Sequence, residues 1–139
     1  GKYKACDYKF PYRSNSFDFV FLTSVFTHLL PEDMEKYLAE ISRVLKINGL
    51  CLVTFFLANE ESLALIKAAQ STLNFQDKSG EYLIINVDQP EAAVAYSEPL
   101  VLALYEKHGL KIKQPIHYGS WCGRKDFLSY QDLMVALKQ

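Results

Sequence analysis

The fold turns on residues 17–57, FDFVFLTSVFTHLLPEDMEKYLAEISRVLKINGLCLVTFFL. Phe17 to Leu22 is an almost unbroken apolar run of strand length, the pattern of a strand covered on both faces. Pro31 suits the first turn of a helix, and Glu32 and Asp33 put carboxylates at the positive end of its dipole. Tyr37, Leu38, Ile41, Val44 and Leu45 return at helical spacing on one face, with Glu35, Lys36, Glu40 and Arg43 on the other. Asn48-Gly49 ends the helix, and Leu50 to Leu57 is a second apolar strand. Strand, helix and strand in about 40 residues predict a right-handed crossover in a parallel sheet.

Outward from this unit the alternation continues. Asn59 is placed to cap a helix reaching about Leu73, with Glu60 and Glu61 as helix-start carboxylates. Glu81 to Asn86 reads as a short strand, and QPEAAVAY (residues 89–96) as a turn of helix. Ser97 is placed to cap a further helix that carries Pro99 in its first turn and stops at Gly109. Leu110 to Tyr118 and Asp132 to Lys138 read as two strands joined by residues 119–131, GSWCGRKDFLSYQ, in a hairpin-like pair. One α/β domain spanning residues 1–139 is expected.

Composition narrows the function classes. The chain has 139 residues, 50% of them hydrophobic, enough for one core. Its net charge of −1 carries no basic block, which argues against a nucleic-acid surface. No apolar run reaches the roughly 18 residues of a membrane span, and no leader pattern opens the chain. Cys6, Cys51 and Cys122 lie far apart, and His28, His108 and His117 supply no closely spaced metal-ligand pair, so no metal is expected. Reduced cysteines in a cytoplasmic protein are the simplest reading.

Phe10, Pro11, Tyr12, Ser16, Phe17, Asp18, His28, Val44, Leu45, Lys46 and Gly49 form an ordered set. It is a proline-aromatic pair, Ser-Phe-Asp opening a strand, a His in the turn after it, and Val-Leu-Lys-x-x-Gly before the next strand. In this order the segment resembles the class I S-adenosylmethionine-dependent methyltransferases, in their small-molecule branch. Ile47-Asn48 stands where that family usually has Pro-Gly, and Asn tolerates the turn. Residues 119–124 and 130–132 (GSWCGR and YQD) also resemble the ending of one methyltransferase subgroup. The resemblance implies a three-layer, Rossmann-like sandwich of which this chain holds roughly the fourth to seventh strands, mostly parallel, with a final antiparallel strand. It implies S-adenosylmethionine as cofactor and a small-molecule methyl acceptor as partner.

The family also carries a Gly-x-Gly turn after its first strand and an acidic residue that holds the cofactor ribose. The six glycines here, Gly1, Gly49, Gly80, Gly109, Gly119 and Gly123, do not sit between a strand and a helix in that role. The chain is therefore expected to begin near the end of the family's third strand, either as a fragment, the favoured reading, or as a naturally shortened protein. By itself it is expected to be inactive. The competing expectation is a non-catalytic interaction module that forms a homodimer through its exposed sheet edge.

In an open parallel sheet, ligands sit beyond the carboxyl ends of the strands. Thr23, Ser24 and Phe26 follow the first strand, where the family places groups around the cofactor's methionine part; alternatively the two hydroxyls only satisfy the turn. Asp7 and Tyr8 match the family's adenine-contact position, or belong to a solvated terminus. His28 is a candidate general base, because an imidazole titrates near neutral pH, or a cap for the turn before Pro31. Tyr118, Trp121 and Arg124 are candidates for an acceptor pocket, unless Trp121 pins the loop to the core. Asp18 reads as structural.

Overall fold

The computed structural model describes residues 8–77 and 80–139. Its main sheet has four strands in the order β1, β2, β8, β7, where β1 is Phe17–Leu22, β2 Leu45–Phe55, β7 Leu110–His117 and β8 Asp132–Lys138. β1 and β2 run parallel, joined by helix α1 (Pro31–Val44), and β8 runs antiparallel to both β2 and β7. Three of the four strands therefore point one way, and their carboxyl ends meet at one rim. This is the partial Rossmann-like arrangement expected from the sequence.

Helix α3 (Glu98–Lys107) lies beside α1: Ser42 donates to the His108 carbonyl at 2.7 Å, and Lys107 pairs with Glu35 at 2.6 Å. The two helices cover one face of the sheet. Val20, Cys51, Val53, Met134 and Ala136 share that face by register, and the last four are buried with Leu38 and Ile41 of α1. The opposite face is set by the alternate residues Phe19, Phe21, Leu50, Leu52, Val135 and Leu137. Phe19 and Phe21 are 51% and 63% exposed there. The sequence reading of β1 as covered on both faces is thus corrected. Among the described residues β1 pairs only with β2, and α1 and α3 both lie behind the sheet.

A second, smaller sheet was not anticipated. It orders β3 (Leu57–Ala58), β6 (Val94–Ser97), β5 (Tyr82–Ile84) and β4 (Gln76–Asp77). The segment read as a turn of helix splits into a 3-10 turn at Pro90–Ala92 and strand β6. Val94, Ala95 and Tyr96 are all fully buried, which a one-sided helix turn does not provide. Helix α2 (Glu60–Lys67) ends before Leu73, because Ala69 turns into the left-handed region at φ 58°. Its start is as expected: Asn59 accepts from the Ser62 amide while Ser62 accepts from the Asn59 amide. Ser97 stands at the N-cap of α3 but makes no side-chain capping bond.

Glu40 also departs from the solvated face assigned to it. It is 6% exposed and accepts from the Phe10 amide at 2.8 Å and from Arg43 at 2.7 and 3.0 Å. Arg43 in turn donates to the Phe10 and Tyr12 carbonyls, so this pair ties residues 10–12 to α1 just ahead of β1. The Arg43 guanidinium holds the Glu40 carboxyl below its ordinary range.

Candidate functional site at the carboxyl rim of the sheet

β1 ends at Leu22, and Thr23 and Ser24 follow it directly with both side chains exposed. Ser24 has φ 59°, a left-handed conformation that a non-glycine residue adopts only at some cost. Two contacts hold it there. Its amide donates to the buried Thr54 hydroxyl at 2.9 Å, and its own hydroxyl accepts from Gln131 Nε2 at 3.0 Å. Gln131 ends the long loop that enters β8, so residues 23–24 and 119–131 share one rim.

The 3-10 turn Phe26–His28 comes next. Phe26 is fully buried and packs edge-on against Phe55, with ring centroids 5.3 Å apart. It is therefore a core residue in this structure, and its expected cofactor contact is corrected. An aromatic two residues past the rim folds back under the turn, where the Phe55 and Tyr37 rings receive it. His28 is exposed, and its Nδ1 lies 3.0 Å from the Glu91 carbonyl. A carbonyl only accepts, so Nδ1 carries the hydrogen, and in the neutral ring Nε2 keeps its lone pair. Buried Tyr96 steadies this turn by donating to the Leu29 carbonyl.

Tyr8 is 43% exposed beside Phe10, ring centroids 6.1 Å apart. Asp7 lies outside the described residues. A shallow groove of about 500 Å³ runs past Tyr8, Phe10, Tyr12, Phe19 and Phe21 along the outer edge of β1.

On the far side of the rim the loop is organised by a residue that the sequence reading passed over. Asp132, fully buried at the start of β8, accepts from the Gly119 amide at 2.6 Å, the Leu57 amide at 2.7 Å and the Trp121 indole at 3.0 Å. Arg124 adds a longer contact at 3.4 Å. Burial pushes the Asp132 carboxyl above its ordinary value, and these donors pull it back in part. Trp121 is also fully buried, ringed by Phe56 and Phe75 at 5.3 and 5.5 Å. Its indole pins the loop and meets no open space, so its placement in an acceptor pocket is corrected. A carboxylate beginning an otherwise apolar strand, DLMVALK, was the available signal for Asp132.

Tyr118 and Arg124 do come together. The Arg124 guanidinium carbon stands 4.9 Å from the Tyr118 ring centroid, and the Tyr118 hydroxyl donates to Glu98 at 2.6 Å. Burial, then the Glu98 carboxylate, pushes the Tyr118 phenol up. Both residues line an open cleft of about 930 Å³ between α2 and residues 123–128.

Comparison with known proteins bears on this geometry. A family model described as a methyltransferase domain matches residues 2–53. A Methanosarcina mazei S-adenosylmethionine-dependent methyltransferase superposes with a TM-score of 0.61 at 15% identity, covering 98% of this chain and 65% of its own. A Burkholderia thailandensis 1,6-didemethyltoxoflavin-N1-methyltransferase, solved with 1,6-didemethyltoxoflavin and S-adenosylhomocysteine, gives 0.59 at 15% identity, with 97% and 48% covered. An Aquifex aeolicus S-adenosylmethionine-dependent methyltransferase gives 0.52 at 22%, with 94% and 50% covered. The chain thus spans between about half and just under two thirds of these solved chains.

Proposed function

From a chain that carries the class I S-adenosylmethionine-dependent methyltransferase fold, with the methyltransferase-domain pattern over residues 2–53, we propose that its carboxyl rim is one flank of a methyl-transfer site for a small-molecule acceptor. The observation that carries the reading is Ser24. Its left-handed backbone sits at the end of the first parallel strand and is tied to the loop that also forms the Arg124 cavity. Non-glycine residues held in that region concentrate at functional sites.

The exposed Thr23 and Ser24 hydroxyls and the Tyr8 ring fit the polar and flat parts of S-adenosylmethionine, and they are the described residues assigned to it. When bound, this cofactor supplies an electrophilic methyl group on a sulfonium. The chain's own contribution is alignment: Thr54 and Gln131 fix Ser24, and Asp132 fixes the loop over the acceptor side. His28, with its hydrogen on Nδ1, offers Nε2 to take a proton from an acceptor that must lose one. The six glycines supply no Gly-x-Gly turn, so the isolated chain is assigned one flank of the site and no turnover of its own. Tyr118 and Arg124 are assigned to the acceptor.

Titration of the protein with S-adenosylhomocysteine, followed by amide resonances, tests this. Shifts centred on Tyr8, Thr23 and Ser24 are expected, and those of Tyr8 and Thr23 weaken in Ser24→Pro, which cannot hold a positive φ and has no amide hydrogen of its own. Saturating ligand that leaves those three resonances unmoved overturns the reading.

A second reading rests on a different observation, the exposed Phe19 and Phe21 on a strand that is at the sheet's edge among the described residues. An apolar edge recruits another chain, and here the occupant is a second copy meeting it face to face as a homodimer. A monomer by sedimentation at high concentration sinks it.

A further inference from the structure

The Arg124 side chain is only 7% exposed, yet among the described residues one of its nitrogens, Nη2, has no hydrogen-bond partner. Its other donors are used: Nε on Glu61, and Nη1 on the Gly119 carbonyl at 3.0 Å and on Asp132 at 3.4 Å. A guanidinium presents Nε and Nη2 side by side as a fork that matches the two oxygens of one carboxylate. Here only half of that fork is engaged. The engaging group, Glu61, is a surface residue 64% exposed in the first turn of α2. Such half-exposed pairs contribute little and are displaced cheaply. A buried cationic donor left unpaired costs more than such a pair contributes.

The surroundings define the rest of the ligand. Arg124 is held from behind by Tyr118, Gly119 and Asp132, and it faces a cavity of about 930 Å³ with an apolar wall of Leu65, Ile116, Phe127 and Leu128. Lys125 and Asp126, also in the lining, offset each other in charge. The selective group is therefore the fork itself. We propose that this cavity binds a ligand with an apolar body and one carboxylate, which bridges Nε and Nη2 and displaces Glu61. This rests on the methyl-transfer reading in taking that ligand as the acceptor; the carboxylate site itself stands on the fork.

The test uses the whole chain and three probes: phenylacetate, its neutral isostere phenylacetamide, and phenyl phosphate. Calorimetry and the Arg124 Nε–H resonance report binding. Phenylacetate is expected to bind about tenfold or more tightly than phenylacetamide and to move the Nε–H signal. Arg124→Lys should lose about tenfold, because an ammonium offers no fork. Glu61→Gln, a surface change that leaves the fold intact, should bind phenylacetate several-fold more tightly by removing the competing carboxylate. Equal affinity for acid and amide, no binding at millimolar probe, or weaker binding by Glu61→Gln overturns the proposal. Tighter binding of phenyl phosphate overturns the choice of carboxylate. S-adenosylhomocysteine titrated in parallel separates the two readings: phenylacetate binding without it leaves the carboxylate site standing while the cofactor assignment falls, and the reverse removes only the carboxylate site.

Discussion

Replacing Asp132 by Ala removes the acceptor for three buried donors, the Leu57 and Gly119 amides and the Trp121 indole, at 2.7, 2.6 and 3.0 Å. Each orphaned donor costs roughly 1–3 kcal/mol, and the sum is reduced by relief of a buried charge, so about 4 kcal/mol is expected. For a chain of 139 residues, that lowers Tm by roughly 12–16 °C. Asp132→Asn keeps the shape but turns an amide nitrogen toward one pair of donors, losing two bonds, about 2 kcal/mol. The sign with pH is distinctive. Because burial raises the Asp132 carboxyl, its contribution is fully present below the ordinary value near 3.8 and declines as pH rises through the raised folded value. Asp132→Asn abolishes that decline. Trp121 is the chain's single tryptophan and is fully buried against Asp132, so its fluorescence during urea unfolding reads the transition directly. An Asp132→Ala protein within about 0.5 kcal/mol of the parent would refute the hub, as would Asn being worse than Ala.

Three further outcomes are expected. Gly119→Ala places a Cβ 2.2 Å from the Tyr130 carbonyl oxygen and 2.5 Å from that of Gln131, both backbone, so a loss of about 3 kcal/mol is expected in thermal denaturation. Glu40→Gln breaks the charge-assisted bonds to Arg43 and costs about 1–2 kcal/mol at neutral pH. Since Glu40 titrates below its ordinary value near 4.5, its stabilisation is present above that value and lost as pH falls through the lower folded one; the variant should show a shallower acid limb in stability measured against pH. Phe21→Ser, at a residue 63% exposed, should leave folding stability within about 0.5 kcal/mol while shifting any dimer to monomer in sedimentation.

The strand–helix–strand unit was legible because a 3.6-residue apolar period between two apolar runs admits few other folds, and Pro31 opens its helix by local backbone chemistry; the helix stops at Val44 and not at Asn48-Gly49, which lie inside β2. The placement of Thr23 and Ser24 at the rim followed from the same unit. What lay out of reach depended on partners distant in sequence. β6 is a strand because β3 and β5 flank it, with paired residues 39 positions before in β3 and 10 to 14 before in β5, and its residues alone do not encode that pairing. Phe19 and Phe21 are exposed, and Phe26 and Trp121 buried, for reasons of neighbours that no local pattern contains. Asp132 and the half-used Arg124 fork are likewise products of convergence. Their partners come from residues 57, 61, 119 and 121, and only folding brings those together. Sequence determined which segments become regular, since that is decided within a few turns of chain; tertiary structure decided which side chains face water, and hence which can carry chemistry.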